Sequence, residues 1–257
     1  MNALERDKWI RKYPATTNGA SSRLLVLPHA GGSANYYWPL FAQLSTCGID
    51  CMAIQYPGRQ DRIRETMIDR IDDYADRIAE ALEGLGDKPT MLLGHSMGAL
   101  IGYDLLARHG RRLPFIDCFV ASAHHPPRRQ APSRFARPMS DETVLAHLQA
   151  LGGMDDELLS EPALLDMILP AVKNDLEAVD VFAIERLERL HVPILAVIGM
   201  EDKSTKREGA SDWAHLTERD FRLAELPGGH FYFAHQPREL AGVIVQAQHL
   251  AGREMTS

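Results

Sequence analysis

The chain has 257 residues, 45% hydrophobic and 25% charged, which fits one large globular domain able to bury a full core without disulfides or metal. A formal net charge of -7 and a pI near 5.9 argue against a nucleic-acid partner, and no apolar run approaches the ~20 residues that span a bilayer. Residues 1–22 are polar with no apolar signal segment, so the chain is expected in the cytoplasm, with Cys47, Cys51 and Cys118 as buried thiols.

In chain order, Arg23-Leu24-Leu25-Val26-Leu27 is the first predicted strand, ending at Pro28. Residues 50–56 form the next, stopped by Pro57-Gly58. Ile71, Tyr74, Ala75, Ile78, Ala79, Leu82 and Leu85 recur at helical spacing and predict an amphipathic helix. Thr90-Met91-Leu92-Leu93 is a third strand, and the apolar stretch from Ala99 to Ala107 a buried helix. Residues 115–121, 193–198 and 221–226 are further strands, and a final helix runs from about Pro237 to Leu250. Strands alternating with helices imply a mostly parallel sheet covered on both faces. Residues 140–190 break the alternation with several helical patterns and no strand. Ser140-Asp141-Glu142-Thr143 offers a cap, and Gly152-Gly153 and Pro162 punctuate the rest. This is a helical insertion, either a lid or extra scaffold, whose Met154, Leu158, Leu159, Met167 and Ile168 offer apolar area to a substrate.

Between the third strand and its helix lies Gly94-His95-Ser96-Met97-Gly98. Strand, G-x-S-x-G, helix is the order of a nucleophile elbow, with glycines where the turn has no room for side chains. Serine needs a base. His230, in Gly228-Gly229-His230 after the last strand, is the candidate. Gly199-Met200-Glu201-Asp202 follows the preceding strand and supplies the acid that would orient it, Asp202 or, one position earlier, Glu201. The oxyanion donors expected are the N–H groups of Met97 and of Ala30, in Pro28-His29-Ala30-Gly31-Gly32-Ser33-Ala34; otherwise Gly31-Gly32 only makes a turn. His29, His95, His124 and His125 also lie at strand ends, His95 in a hydrogen-bonded buried role and His124-His125 as pocket lining. His109, His147, His191, His215, His235 and His249 read as surface or packing residues, and no group has metal-ligand spacing.

Those segments, with Tyr56-Pro57-Gly58-Arg59 and Gly228-Gly229-His230-Phe231, resemble the type II, or editing, thioesterases of polyketide and nonribosomal peptide synthesis, over nearly the whole chain. The resemblance implies a single α/β-hydrolase domain over residues 1–257 with a helical lid at 140–190. It implies Ser96, Asp202 and His230 as the catalytic triad, Ala30 and Met97 as oxyanion donors, and no cofactor or metal. The substrate implied is an acyl or aminoacyl thioester on the phosphopantetheine of an acyl or peptidyl carrier protein, released by hydrolysis. Lys203-Ser204-Thr205 is more polar than the pattern after the aspartate.

The expected protein is a stand-alone monomer acting in trans, without nucleic acid or membrane. The alternatives are a carboxylesterase of small free esters with the same triad, and a noncatalytic pseudo-hydrolase serving as a binding module. Arg128, Arg129, Arg134 and Arg137, in a proline-rich stretch with no acid, would meet a phosphate or an acidic carrier helix, or form a solvated connection.

Overall fold

The computed structural model describes residues 1–16, 19–86, 88–128, 138–152, 161–184 and 186–251. One sheet runs in the order β1-β3-β2-β4-β5-β6-β7: β1 (Ile10–Tyr13), β2 (Ser22–Leu27), β3 (Ile49–Ile54), β4 (Thr90–His95), β5 (Ile116–Ser122), β6 (Ile194–Gly199) and β7 (Phe221–Leu226). β1 is antiparallel to β3, and every other neighbouring pair is parallel. The sequence reading misses β1. Ile-Arg-Lys-Tyr carries two charges in four residues, which an edge strand tolerates because it pairs on one side only.

The helices are α1 (Ala3–Trp9), α2 (Trp38–Ser45), α3 (Ile71–Leu82), α4 (Met97–His109), α5 (Asp141–Leu151), α6 (Pro162–Val181), α7 (Arg207–Ser211), α8 (Tyr232–His235) and α9 (Pro237–Ala251). Successive strand side chains feed opposite cores. Leu25, Leu27, Leu92, Phe119 and Ala196 pack with α3 and α4 on one face. Leu24, Val26, Met91, Leu93, Val120 and Val197 pack with α2 and α9 on the other. A central strand such as β4 is buried at every position, which is why its middle, Met91-Leu92-Leu93, does not alternate with polar residues.

The described part of 140–190 holds α5 and α6 and no strand. Ser140 caps α5 by accepting from the Thr143 N–H at 3.3 Å, and Gly152 ends it at φ 70°. Val144 and Leu148 of α5 pack on Leu169, Val172 and Leu176 of α6 as a third, smaller core. Met154, Leu158, Leu159, Arg129, Arg134 and Arg137 lie outside the described residues. Two expectations need correction. Cys47 is exposed, since it follows α2 at the protein surface, whereas Cys51 and Cys118 are buried in strands. Met167 is 50% exposed on the outer face of α6 and does not turn inward toward a substrate.

Candidate active site

β4 carries its chain into a one-residue turn. Ser96 adopts φ 55° and ψ -117°, a left-handed conformation that costs a non-glycine residue about 1–3 kcal/mol, and α4 begins at the next residue. Packing fixes the turn. The Ser96 N–H donates to the Ser122 carbonyl at 2.8 Å, and the Ala99 N–H to the Ser96 carbonyl at 2.9 Å. A Cβ on Gly94 would run into the Gly98 carbonyl, and one on Gly98 into the Leu27 carbonyl. Only glycine lets β4, α4 and β2 approach this closely.

Parallel strands deliver the remaining groups to the same carboxyl edge of the sheet. His230, 4% exposed, follows β7, and Asp202, 2% exposed, follows β6. His230 Nε2 lies 3.0 Å from Ser96 Oγ, and its Nδ1 lies 2.8 Å from Asp202 Oδ2. Glu201 is exposed and its side chain takes no part; only its N–H is engaged, donating to the Gly228 carbonyl. The other carboxylate oxygen, Asp202 Oδ1, accepts from the Ser204 hydroxyl at 2.6 Å and the Ser204 N–H at 2.8 Å. Burial alone would raise the Asp202 carboxyl. The bond and charge of His230 and the two bonds from Ser204 outweigh it and hold the group below its ordinary value.

Ser96 opens onto a cavity of about 120 Å³ whose walls include Ala30 and Met97. Met97 is the first residue of α4, so its N–H has no partner within the helix and points out of the positive end of the helix dipole. Leu100, Leu151, Leu176, Val179 and Phe182 provide the apolar wall. Met167 and Ile168 do not line it, because the inward face of α6 presents Leu176 and Val179 instead. His124 and His125 line the cavity, and so does His147, which the sequence reading assigns to the surface or packing. Arg128 reaches the cavity wall with an exposed side chain.

His95 is fully buried behind the serine. Its Nδ1 lies 2.7 Å from Ser122 Oγ, which in turn lies 2.7 Å from the Tyr232 hydroxyl. Burial, then the charge of His230, drives the His95 imidazole well below its ordinary pKa. Burial, His230 and Arg59 push His29 down to about 3. Both rings are therefore neutral at pH 7, and neither adds a positive charge beside His230. Among the described residues no cluster of three or more His, Cys, Asp or Glu is arranged to hold a metal ion, and no helix is long and apolar enough to cross a membrane.

A half-buried hydroxyl with an imidazole on one side, a carboxylate behind that imidazole and a helix N-terminus in front is equipped for nucleophilic acyl transfer. The sequence reading overlooks Ser204, although the polarity of Lys203-Ser204-Thr205 marks the segment. It likewise flags Arg59 within a motif without finding its partner.

Comparison with known proteins agrees with this chemistry. Residues 22–247 match the Thioesterase domain family. Thioesterase PikA5 of Streptomyces venezuelae is 31% identical over 241 residues, covering 92% of this chain and 84% of that protein. The probable cadicidin biosynthesis thioesterase of Streptomyces griseus is 32% identical over 243 residues, covering 94% of this chain and 66% of that one. Among solved structures, the type II thioesterase BorB from the borrelidin biosynthetic cluster superposes with a TM-score of 0.80 at 33% identity, over 93% of this chain and 97% of that one. A sheet of this order, a serine on a strained turn after β4 and relatives of this kind lead to one conclusion: the chain belongs to the thioesterase-domain family and is a thioester hydrolase on an α/β-hydrolase fold.

Proposed function

We propose that this enzyme removes acyl or aminoacyl groups from the phosphopantetheine thioester of acyl or peptidyl carrier proteins, releasing misprimed or stalled chains in polyketide or nonribosomal peptide biosynthesis. The observation that carries the mechanism is the position of His230, whose two ring nitrogens lie 3.0 Å from Ser96 Oγ and 2.8 Å from Asp202 Oδ2. In this reading Ser96 Oγ attacks the thioester carbonyl while His230 Nε2 takes its proton. The N–H groups of Met97 and Ala30 hold the oxyanion. The C–S bond breaks and the proton passes from His230 to the departing sulfur. Water, deprotonated by His230, then attacks the acyl-serine; the acid leaves and Ser96 recovers its proton. Asp202 keeps the imidazole in the productive tautomer and stabilises its cation.

The single domain carries 140–190 as a lid whose inner wall receives the acyl group, supported by Leu176, Val179 and Phe182 at the cavity. The protein works as a monomer in the cytoplasm, a placement supported by its free cysteines, and needs neither nucleic acid nor membrane. The test compares a carrier-bound acyl thioester with the matched oxygen ester, in wild type and Ser96→Ala. A strong preference for the carrier thioester, and a loss of up to about 10⁶ in kcat in the variant, is expected. Equal rates on the two substrates would make the chain a general esterase. Retention of a tenth of the activity without Ser96 would remove the nucleophile assignment.

A further inference from the structure

The molecule holds an ion pair that the chemistry above does not use. Asp175, on α6, is completely buried, and Arg59, after β3, is 5% exposed. Arg59 Nη1 meets Asp175 Oδ2 at 2.6 Å and Arg59 Nη2 meets Oδ1 at 3.2 Å, a bidentate pair. The Tyr74 hydroxyl donates to Oδ1 at 2.8 Å. Oδ2 also accepts the backbone N–H of Gly31 at 2.8 Å. That last bond ties the carboxylate of one helix to the loop holding Ala30, across 144 residues of chain.

On either side of Gly31 the loop is held by other bonds: the His29 N–H donates to the Tyr37 hydroxyl at 3.3 Å, the Gly32 N–H to the His29 carbonyl at 2.9 Å and the Ala34 N–H to Gln55 Oε1 at 3.0 Å. Gly31 sits at φ 72°, and a Cβ there would collide with the Val172 side chain, so α6 lies directly on its backbone. Upstream, the Tyr56 hydroxyl donates to the Pro28 carbonyl at 3.2 Å. Gly31 shares its peptide plane with the Ala30 carbonyl, and the Ala30 N–H lies in the preceding plane, joined to it at the Ala30 Cα. Fixing the Gly31 N–H therefore fixes one of the two planes that meet at Ala30 and restrains the torsions through which the other, with its N–H, can turn.

We propose that Asp175 is a positioning residue for the reaction: by accepting the Gly31 N–H it aims the Ala30 N–H at the developing oxyanion, with Arg59 and Tyr74 holding the carboxylate in place. The proposal rests on the assignment of Ala30 as an oxyanion donor. The stretch of α6 from Val172 to Leu176 is then part of the catalytic scaffold, and the site is complete only with that stretch docked. An interaction made only with the oxyanion affects kcat and leaves ground-state binding alone. Loss of one oxyanion donor costs about 10²–10³ in kcat, and a donor that is misaimed rather than lost costs less, about 10- to 100-fold.

Replacing Asp175 alone would strand the Arg59 charge in the interior and can unfold the chain. The test therefore compares two variants that both remove the charges, Arg59→Met/Asp175→Leu and Arg59→Met/Asp175→Asn. Only the second keeps an acceptor for the Gly31 N–H. Expected for the first is a kcat about 10- to 100-fold below wild type on a small free thioester, with KM within about twofold; the second regains most of that loss. Affinity for a trifluoromethyl ketone, which forms an oxyanion on the serine, falls by the same factor as kcat. Equal kcat in the two variants, or a loss appearing in KM and melting temperature alone, overturns the proposal. A ketone that fails to add to the wild-type serine instead removes the acyl-transfer reading beneath it. Wild-type protein supplies a readout that needs no variant. The Gly31 amide exchanges slowly if Asp175 holds it, and exchange at the rate of an exposed loop also overturns the proposal.

Discussion

The Ser204 hydroxyl donates to Asp202 Oδ1 at 2.6 Å, on the carboxylate oxygen that His230 leaves free. The same hydroxyl lies 3.0 Å from His230 Nδ1, so one side chain contacts both the carboxylate and the imidazole. A hydrogen bond to a charged group contributes about 1.5–3 kcal/mol, and the Ser204 N–H bond survives a side-chain truncation. Ser204→Ala is expected to lower kcat about 10-fold with the fold intact. A pH–rate profile and a melting curve check this. An unchanged kcat would make the hydroxyl a bystander.

Asp202→Asn is expected to lose about 10⁴ in kcat, as asparagine does in another serine–histidine–aspartate site, because it favours the wrong imidazole tautomer. Glu201→Gln should stay within about twofold of wild type, since Glu201 is exposed. Steady-state kinetics on both variants decides between the two carboxylates.

The depressed Asp202 pKa also makes a stability prediction. A carboxyl whose folded value lies below its unfolded value stabilises the fold above the unfolded value of about 3.9, and that contribution disappears as pH falls through the folded value. The gap in urea midpoint between wild type and Asp202→Asn should therefore persist from pH 7 to about pH 4 and close below it. A gap that widens on acidification would contradict the sign.

Gly98→Ala should destabilise the protein by about 3 kcal/mol or more, a fall in melting temperature of roughly 6–12 °C, because the added methyl meets the Leu27 carbonyl between two buried elements. Gly242→Ala is the control. It lies in α9 with open space around the new Cβ, and should be neutral or slightly stabilising. Calorimetry of both variants separates close packing from a general intolerance of glycine replacement.

Leu176 and Val179 project from α6 into the cavity beside Ser96. Leu176→Ala and Val179→Ala should raise the rate on longer acyl groups relative to acetyl by severalfold, because the space they open lets the substrate bury further methylenes at about 0.8 kcal/mol each. Met167→Ala, on the outer face, should leave the profile unchanged. An acyl-length panel of thioesters tests all three; identical profiles would make the inner face of α6 scaffold alone.

Sequence by itself determined the parts of this protein that depend on neighbours along the chain. Strands buried on both faces are apolar along most of their length, so β2, β4, β5 and β6 read as short, nearly continuous apolar runs. The turn at Ser96 demands glycine at fixed offsets, and the groups after β6 and β7 follow from strand order, since parallel strands end on one edge. Tertiary structure alone decided what spans distance. β1 is a strand only because β3 offers it an edge to pair with. Asp175 looks like one more acid in an amphipathic helix until packing buries it against Arg59, 116 residues away. Ser204 and His147 gain their places at the site from the approach of loops and helices that local pattern does not encode. Burying a charge requires a partner of opposite sign. Which residue supplies that partner is settled by the packing of α6 on the sheet, not by any spacing in the chain.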